Sequence, residues 1–164
     1  MNTQSKPIDA GTVIGHVHLK VADLDRAIKF YTEVLGFEVV ARMGRAAAFL
    51  SAGGYHHHIG LNTWESNGGS RPPRGTTGLY HFALLLPSRH ALATTLKRLL
   101  EHGWPIDGAA DHGVSEAVYL RDPDGNGIEI YRDRPREQWP KNPDGTYAMV
   151  SDPLDLDDLL KESN

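Results

Sequence analysis

The chain contains no cysteine, no long apolar run and no excess of basic residues. The absence of Cys from its 164 residues excludes disulfide bonds, thiolate zinc sites and a cysteine nucleophile. No run approaches the roughly 20 apolar residues that a membrane helix needs. Met1 to Gly11 lacks the apolar core of a signal peptide. We therefore expect a cytoplasmic protein with no membrane partner.

Charge and composition narrow the class of protein further. The formal net charge is −4, so the basic surface typical of nucleic-acid binding is missing and we expect no nucleic-acid partner. Hydrophobic residues make up 40% and charged residues 23% of the chain, which is ordinary for a globular protein. This length is sufficient to bury a sizeable core. We expect residues 1–164 to form a single domain.

One unit occurs twice in the chain, and each copy opens with a histidine on a predicted strand. The first copy begins IGHVHLKV (14–21) with His16, and the second begins GLYHFALL (78–85) with His81. A helical pattern and strand-like runs follow each opening, so the repeat sets the architecture. It predicts an α+β fold of paired βαβββ modules, with their sheets forming a curved mixed sheet around a metal cleft.

The boundaries follow from turn signals and helix caps. We expect module one at 12–64, a Gly-, Pro- and Ser-rich linker at 65–78, module two at 79–134 and a C-terminal extension at 135–164. Asp23 and Ser88 are the predicted helix N-caps, and Gly36 and Gly103 the predicted stops. Strands are predicted at 13–21, 37–42, 45–51, 55–63, 79–86, 114–121 and 128–132, and a short acidic helix at 154–160.

Two strand histidines and a strand glutamate suggest a metal site. Side chains alternate across a strand, so Glu129 points away from its apolar neighbours Ile128 and Ile130. A buried glutamate without a partner is costly, and a metal ion is a natural partner. His16, His81 and Glu129 would together supply two imidazoles and one carboxylate. This facial triad suits non-haem Fe(II), with Mn(II) as the near alternative.

Four stretches resemble the vicinal oxygen chelate superfamily, which includes glyoxalase I, extradiol dioxygenases and the fosfomycin- and bleomycin-resistance proteins. The resemblance covers 12–135. GHVHLKVADLDRAIKFYTEVLGF (15–37) and GLYHFALLLPSR (78–89) are general to the superfamily. GGYHHHIGLNTW (53–64) and SEAVYLRDPDGNGIEIYRDRP (115–135) are similar to catechol 2,3-dioxygenases of the bacillus type. The C-terminal tail also resembles a segment of those enzymes.

The resemblance implies roles for individual residues. The metal ligands of the dioxygenases match His16, His81 and Glu129. The resemblance also implies that His57 handles protons near bound oxygen, that Tyr119 hydrogen-bonds a catecholate oxygen, and that His112 is a further active-site histidine. Glyoxalases add a fourth, acidic or amide ligand on the last strand of module one, where HHHIGLN (56–62) has no acid. This difference argues against glyoxalase chemistry.

The sequence therefore predicts an Fe(II)-dependent extradiol-type dioxygenase that acts on a small aromatic diol with O2. Two alternatives stay open: a glyoxalase-type lyase or isomerase on another divalent metal, and a non-catalytic protein that binds an aromatic antibiotic. Extradiol enzymes of this type typically carry four copies of the unit, and this chain has two. We therefore expect a homodimer, with apolar residues of 154–160 available to a partner.

Overall fold

The computed structural model describes residues 6–163. Met1–Ser5 and Asn164 lie outside that range. The prediction that Met1 to Gly11 is not a signal peptide therefore falls partly outside the described residues. Within the described residues, no helix is long and apolar enough to cross a membrane.

Module one follows the predicted order of one strand, one helix and three strands. Asp23 caps the helix, because its side chain accepts a hydrogen bond from the Arg26 N–H at 2.9 Å. The helical segment is divided, since its second half widens into a π-helical turn. The elements are β1 (Val17–Lys20), α1 (Leu24–Lys29), the π-helical turn (Phe30–Val34), β2 (Glu38–Met43), β3 (Ala47–Ser51) and β4 (Ile59–Asn62). The sheet order is β1-β4-β3-β2, with β1 parallel to β4.

Module two repeats this plan, and the C-terminal extension adds one short strand to its sheet. Ser88 caps its helix as predicted, by accepting from the Ala91 N–H at 3.1 Å. The elements are β5 (Phe82–Leu85), α2 (Arg89–Glu101), β6 (Ile106–Asp111), β7 (Ser115–Arg121), β8 (Gly127–Asp133), β9 (Asp152–Pro153) and α3 (Leu156–Lys161). The sheet order is β5-β8-β7-β6-β9, with β5 parallel to β8. The α+β fold of paired βαβββ modules is thus confirmed, and its strands lie in two mixed sheets.

The structure differs from four local predictions. β6 was not predicted, because Gly108 and two alanines give that segment little strand character. The strand predicted at 55–63 begins only at Ile59, where β4 pairs with β1. The strands predicted at 13–21 and 79–86 likewise shorten, to Val17–Lys20 and Phe82–Leu85.

The helices of the two modules share one core. The Tyr31 hydroxyl, on a fully buried ring, donates to Asp122 Oδ2 at 3.0 Å, and Asp122 lies in the β7–β8 turn of the other module. The Phe30 and Trp104 rings lie 4.5 Å apart between centroids. Gly36 permits a close approach, since a Cβ there would lie 2.0 Å from Arg98 Nη1. The two modules are therefore packed through their helical sides.

The C-terminal extension returns to module two. β9 pairs with β6, and α3 packs on α2 with the Leu159 side chain fully buried. The predicted acidic helix is confirmed in shifted form at Leu156–Lys161. Its apolar contacts among the described residues are with its own chain, and a further contact of the half-buried leucines with a partner stays a prediction.

Candidate metal and substrate site

The carboxylate predicted on the last strand lies beside the second histidine. Glu129 points away from Ile128 and Ile130, which are 1% and 0% exposed, as the alternation predicted. His81 directly precedes β5, the parallel neighbour of β8. Its Nε2 lies 3.0 Å from Glu129 Oε2, and the two side chains are 31% and 14% exposed.

A glycine makes this approach possible. Gly127 begins β8 next to the segment that carries His81. A Cβ at Gly127 would lie 2.2 Å from the carbonyl oxygen of Tyr80 and 3.0 Å from the His81 Cβ. Any side chain at Gly127 would therefore push His81 away from Glu129.

Tyr119 and His112 extend the pair into a hydrogen-bonded chain. Tyr119 stands opposite Glu129 in the β7–β8 register. Its hydroxyl lies 2.6 Å from His112 Nε2 and 3.4 Å from Glu129 Oε1. His112 Nδ1 lies 2.7 Å from the carbonyl oxygen of Val150 in the C-terminal extension. Burial, followed by the negative charge of Glu129, raises the pKa of Tyr119 to about 12, so the hydroxyl keeps its proton at neutral pH.

A cavity of about 380 Å³ opens at this chain of residues. Its lining includes His81, His112, Tyr119 and, from the extension, Ser151. The volume is within the range of small-molecule sites. A larger, polar cleft of about 1180 Å³ lies between the α1 N-terminus, the β2–β3 turn and the β7–β8 turn, and none of the predicted site residues lines it.

The remaining predicted residues form a second group in module one. The rings of His16 and His57 lie 4.4 Å apart between centroids. His57 Nδ1 also lies 2.8 Å from His56 Nδ1. Desolvation, followed by the positive charges of the neighbouring imidazoles, lowers the pKa of His57. His16 directly precedes β1, and His57 lies in the irregular segment before β4 rather than on a strand.

Within a single chain, two of the three predicted metal ligands lie together, His81 and Glu129. Among residues 6–163, no group of three or more His, Asp or Glu side chains is placed to hold a metal ion. The His81–Glu129 pair nevertheless fits one, because two ligands about 2.1 Å from a first-row ion at adjacent positions lie about 3 Å apart. An imidazole and a carboxylate are also the donor types that Fe(II) accepts. The described geometry thus fits two-thirds of a facial triad.

A charged cluster behind the sheet was missed by the sequence reasoning. Glu116 on β7 is 3% exposed. Its carboxylate accepts from Arg89 Nε at 3.1 Å, Arg132 Nε at 2.7 Å and Arg134 Nη2 at 3.3 Å. Arg89 also pairs with Asp158 of α3 at 2.9 Å. The cluster joins α2, the sheet and the extension, and no spacing in the sequence indicated it.

Comparisons with known proteins agree with the class that the fold defines, a protein of paired βαβββ modules. A family model described as "Glyoxalase/Bleomycin resistance protein/Dioxygenase superfamily" matches residues 13–130. The chain belongs to this superfamily.

Individual relatives within the superfamily have different activities. The catechol-2,3-dioxygenase of Bacillus subtilis is 46% identical over 158 residues, covering 95% of this chain and 54% of the relative. The chain therefore spans about half the length of that enzyme. A probable lactoylglutathione lyase of Vibrio parahaemolyticus is 26% identical, covering 73% of this chain and 89% of the relative. A crystal structure of a glyoxalase/dioxygenase from Nostoc punctiforme matches the fold with a TM-score of 0.63 at 20% identity, over 80% of this chain and 99% of that one.

Proposed function

We propose that the chain is an extradiol-type ring-cleaving dioxygenase that uses ferrous iron and O2 on a catechol-like aromatic diol. The observation that carries the proposal is the 3.0 Å contact between His81 Nε2 and Glu129 Oε2 beside a cavity lined by Tyr119 and His112. The 46% identity to a catechol-2,3-dioxygenase supports the same chemistry. His16, His81 and Glu129 would hold the iron, with Mn(II) as the alternative. Bound iron would supply a Lewis-acidic centre for the diol and O2.

Tyr119 and His112 would orient the diol. Tyr119 keeps its hydroxyl proton at neutral pH, since its pKa is raised to about 12. The hydroxyl oxygen can also accept a hydrogen bond from a substrate hydroxyl at the cavity wall. His112, 2.6 Å behind it, restrains the position of the hydroxyl.

His57 would serve as the acid/base beside the third ligand. It contacts His16, and its lowered pKa leaves its imidazole neutral and able to accept a proton near neutral pH. The neighbouring His56 offers a hydrogen-bond partner at 2.8 Å. This role is separate from that of Tyr119 and His112, because the two groups belong to different modules.

The lyase alternative is supported by the lactoylglutathione lyase relatives, and the ligand set of this chain argues against it. A glyoxalase-type site adds a fourth acidic or amide ligand on the last strand of module one. That strand, β4, is Ile59–Asn62, and it contains no acid. The two functions are separable by metal preference and by substrate.

The assembly that completes the proposed triad is a homodimer. One chain holds His81 with Glu129 and keeps His16 in another group. Exposed apolar residues flank both groups: Ile14 is 95% exposed next to His16, and Tyr80 is 86% exposed next to His81. In a two-fold dimer, any contact that a residue of one copy makes with the partner is also made by the same residue of the partner. Two copies could then form two sites, each with His16 of one copy and the His81–Glu129 pair of the other.

Metal analysis under anaerobic conditions, followed by an assay on a panel of catechols, tests the function. We expect about one ferrous ion per chain and formation of the yellow ring-cleavage product. The triple replacement of His16, His81 and Glu129 by Ala should lose the iron. His102→Ala on the exposed end of α2 is the matched control and should retain it. Iron retained by the triple variant would refute the ligand set, while turnover of a hemithioacetal with no ring cleavage would favour the lyase.

A further inference from the structure

The C-terminal extension contacts the candidate active site through its backbone. The carbonyl oxygen of Val150 lies 2.7 Å from His112 Nδ1, and the Val150 N–H donates to the His112 carbonyl oxygen at 3.3 Å. The next residue, Ser151, lines the 380 Å³ cavity. The extension thus reaches both the wall of the cavity and a residue behind it.

The chain that follows Val150 is anchored to module two. β9, two residues later, pairs with β6, the strand that leads into His112. Further along, Arg89 on α2 pairs with Asp158 at 2.9 Å and with Glu162 at 3.3 Å, and Leu159 is fully buried. These contacts anchor the segment that presents the Val150 carbonyl, so that carbonyl is a preorganised acceptor.

A carbonyl oxygen can only accept, which selects the tautomer of a neutral His112. At 2.7 Å from Val150 O, Nδ1 must be the nitrogen that carries hydrogen. In a neutral imidazole the other nitrogen, Nε2, is then an acceptor. The hydroxyl 2.6 Å away on Tyr119 must therefore donate to Nε2.

This assignment also resolves a competition at Tyr119. Its hydroxyl has one proton and two acceptors, His112 Nε2 at 2.6 Å and Glu129 Oε1 at 3.4 Å. The shorter contact is close to the optimum for a hydroxyl donor, and the longer one lies well beyond it. With the proton on the His112 side, Glu129 keeps both oxygens for a cation.

We propose that the Val150 carbonyl is a positioning group of the active site, which holds His112 as the Nδ1–H tautomer and thereby aims the Tyr119 hydroxyl proton at His112. Resting on the proposed function, this gives a defined proton path for a bound diol. A substrate hydroxyl gives its proton to the Tyr119 oxygen as the Tyr119 proton passes to His112 Nε2. The resulting imidazolium then donates to Tyr119 through Nε2 and to Val150 through Nδ1. Charge-assisted hydrogen bonds of this kind are the stronger ones.

The side chain of Val150 is irrelevant to this role, so the test must change the backbone. An α-hydroxy acid in place of Ser151 converts the Val150 carbonyl from an amide to an ester, which is a weaker acceptor. The matched control is an α-hydroxy acid in place of Val150. It removes the N–H bonded to the His112 carbonyl oxygen and makes the Met149 carbonyl an ester, but it leaves the Val150 carbonyl as an amide.

The 15N NMR chemical shifts of the His112 imidazole report its tautomer directly. They are measured in metal-free protein, because ferrous iron is paramagnetic. His112→Gln identifies the His112 signals. We expect the Nδ1–H tautomer in the wild type, in the control ester and in Tyr119→Phe, and a mixture of tautomers in the Ser151 ester. An Nε2–H tautomer in the wild type, or its appearance in Tyr119→Phe alone, would overturn the proposal.

Kinetics on an active catechol complete the test. The Ser151 ester should lose about 10–100-fold in kcat, the usual effect of removing a partner that orients an active-site group. KM and iron content should stay close to those of the control ester. Equal kcat for the two esters would overturn the positioning role. The 15N result does not depend on turnover, so failure of the dioxygenase proposal is distinguishable from failure of this one.

Discussion

His57 lies between two other imidazoles, and that environment determines what it can do. Its ring is 4.4 Å from His16 between centroids, and its Nδ1 is 2.8 Å from that of His56. Partial desolvation and these neighbouring positive charges lower its pKa, so the neutral form predominates near pH 7. A neutral imidazole beside a metal ligand is suited to accept a proton.

We predict that His57→Ala keeps its iron and still binds a catechol, with turnover reduced by about 10²–10⁴-fold, as expected for loss of a positioned acid/base. His56→Ala is the matched control, because it removes the adjacent histidine and the 2.8 Å contact while leaving His57 in place. Steady-state kinetics of both variants on one substrate decide the question. Equal activities would mean that the three consecutive histidines are only a polar surface segment.

At the scale of elements, the buried carboxylate Glu116 holds α2, β7 and β8 together. Three arginines donate to it, and their side chains are 12–25% exposed. Removing its charge would leave the guanidinium groups without their shared partner. Breaking a fully buried pair costs about 3–5 kcal/mol, and partial solvation of the arginines reduces this.

We therefore expect Glu116→Gln to lower the free energy of unfolding by about 2–3 kcal/mol. Asp107→Asn is the control, because its pair with Arg121 at 2.8 Å is about half exposed on both sides. An exposed pair contributes at most about 1 kcal/mol. Urea unfolding of both variants at one pH provides the measurement. A loss at Glu116 no larger than that at Asp107 would show that the cluster does not stabilise the fold.

The sequence predicted elements well where local signals were strong. Asp23 and Ser88 cap their helices as expected, and the alternation around Glu129 directs its side chain away from the core. The sequence did not predict β6 (Ile106–Asp111). This segment is a strand because it pairs with β7 and β9, and its own residues have little strand propensity. The sequence also predicts a strand at the histidines 56–58, which lie outside β4 in the structure. Their side chains suit a strand, but β4 pairs with β1 only from Ile59 onwards.

At the scale of the whole molecule, the modules pack through their helices rather than around a shared cleft. The core includes Tyr31 from module one and Leu120 from module two, and the Tyr31 hydroxyl donates to Asp122 across the boundary. A repeat in the sequence predicts two similar units, but it does not determine which sides of them meet. The sequence could therefore predict each half of the site, His81 with Glu129 and His16 with His57, without predicting how the halves combine.

A second copy of the chain would combine them, and complementation between inactive variants tests this. His16→Ala removes the ligand of one half, and Glu129→Ala removes a ligand of the other. If each site takes His16 from one copy and Glu129 from the partner, a mixed dimer contains one site with both substitutions and one intact site. Random pairing of equal amounts gives mixed dimers in half of the population, so about a quarter of all sites should be intact.

We predict that each variant alone is inactive and that co-expression restores about a quarter of the wild-type turnover and iron content. Co-expression of His16→Ala with His57→Ala is the control. Both residues lie in module one of the same copy, at 4.4 Å between ring centroids. If His16 and His57 of one copy serve the same site, each site of a mixed dimer carries one of the two substitutions, so this pair should show no recovery of turnover. Sedimentation at tens of micromolar protein should give a dimer. A monomer with full activity, or no recovery when His16→Ala and Glu129→Ala are combined, would mean that a single chain closes the site by moving its two modules.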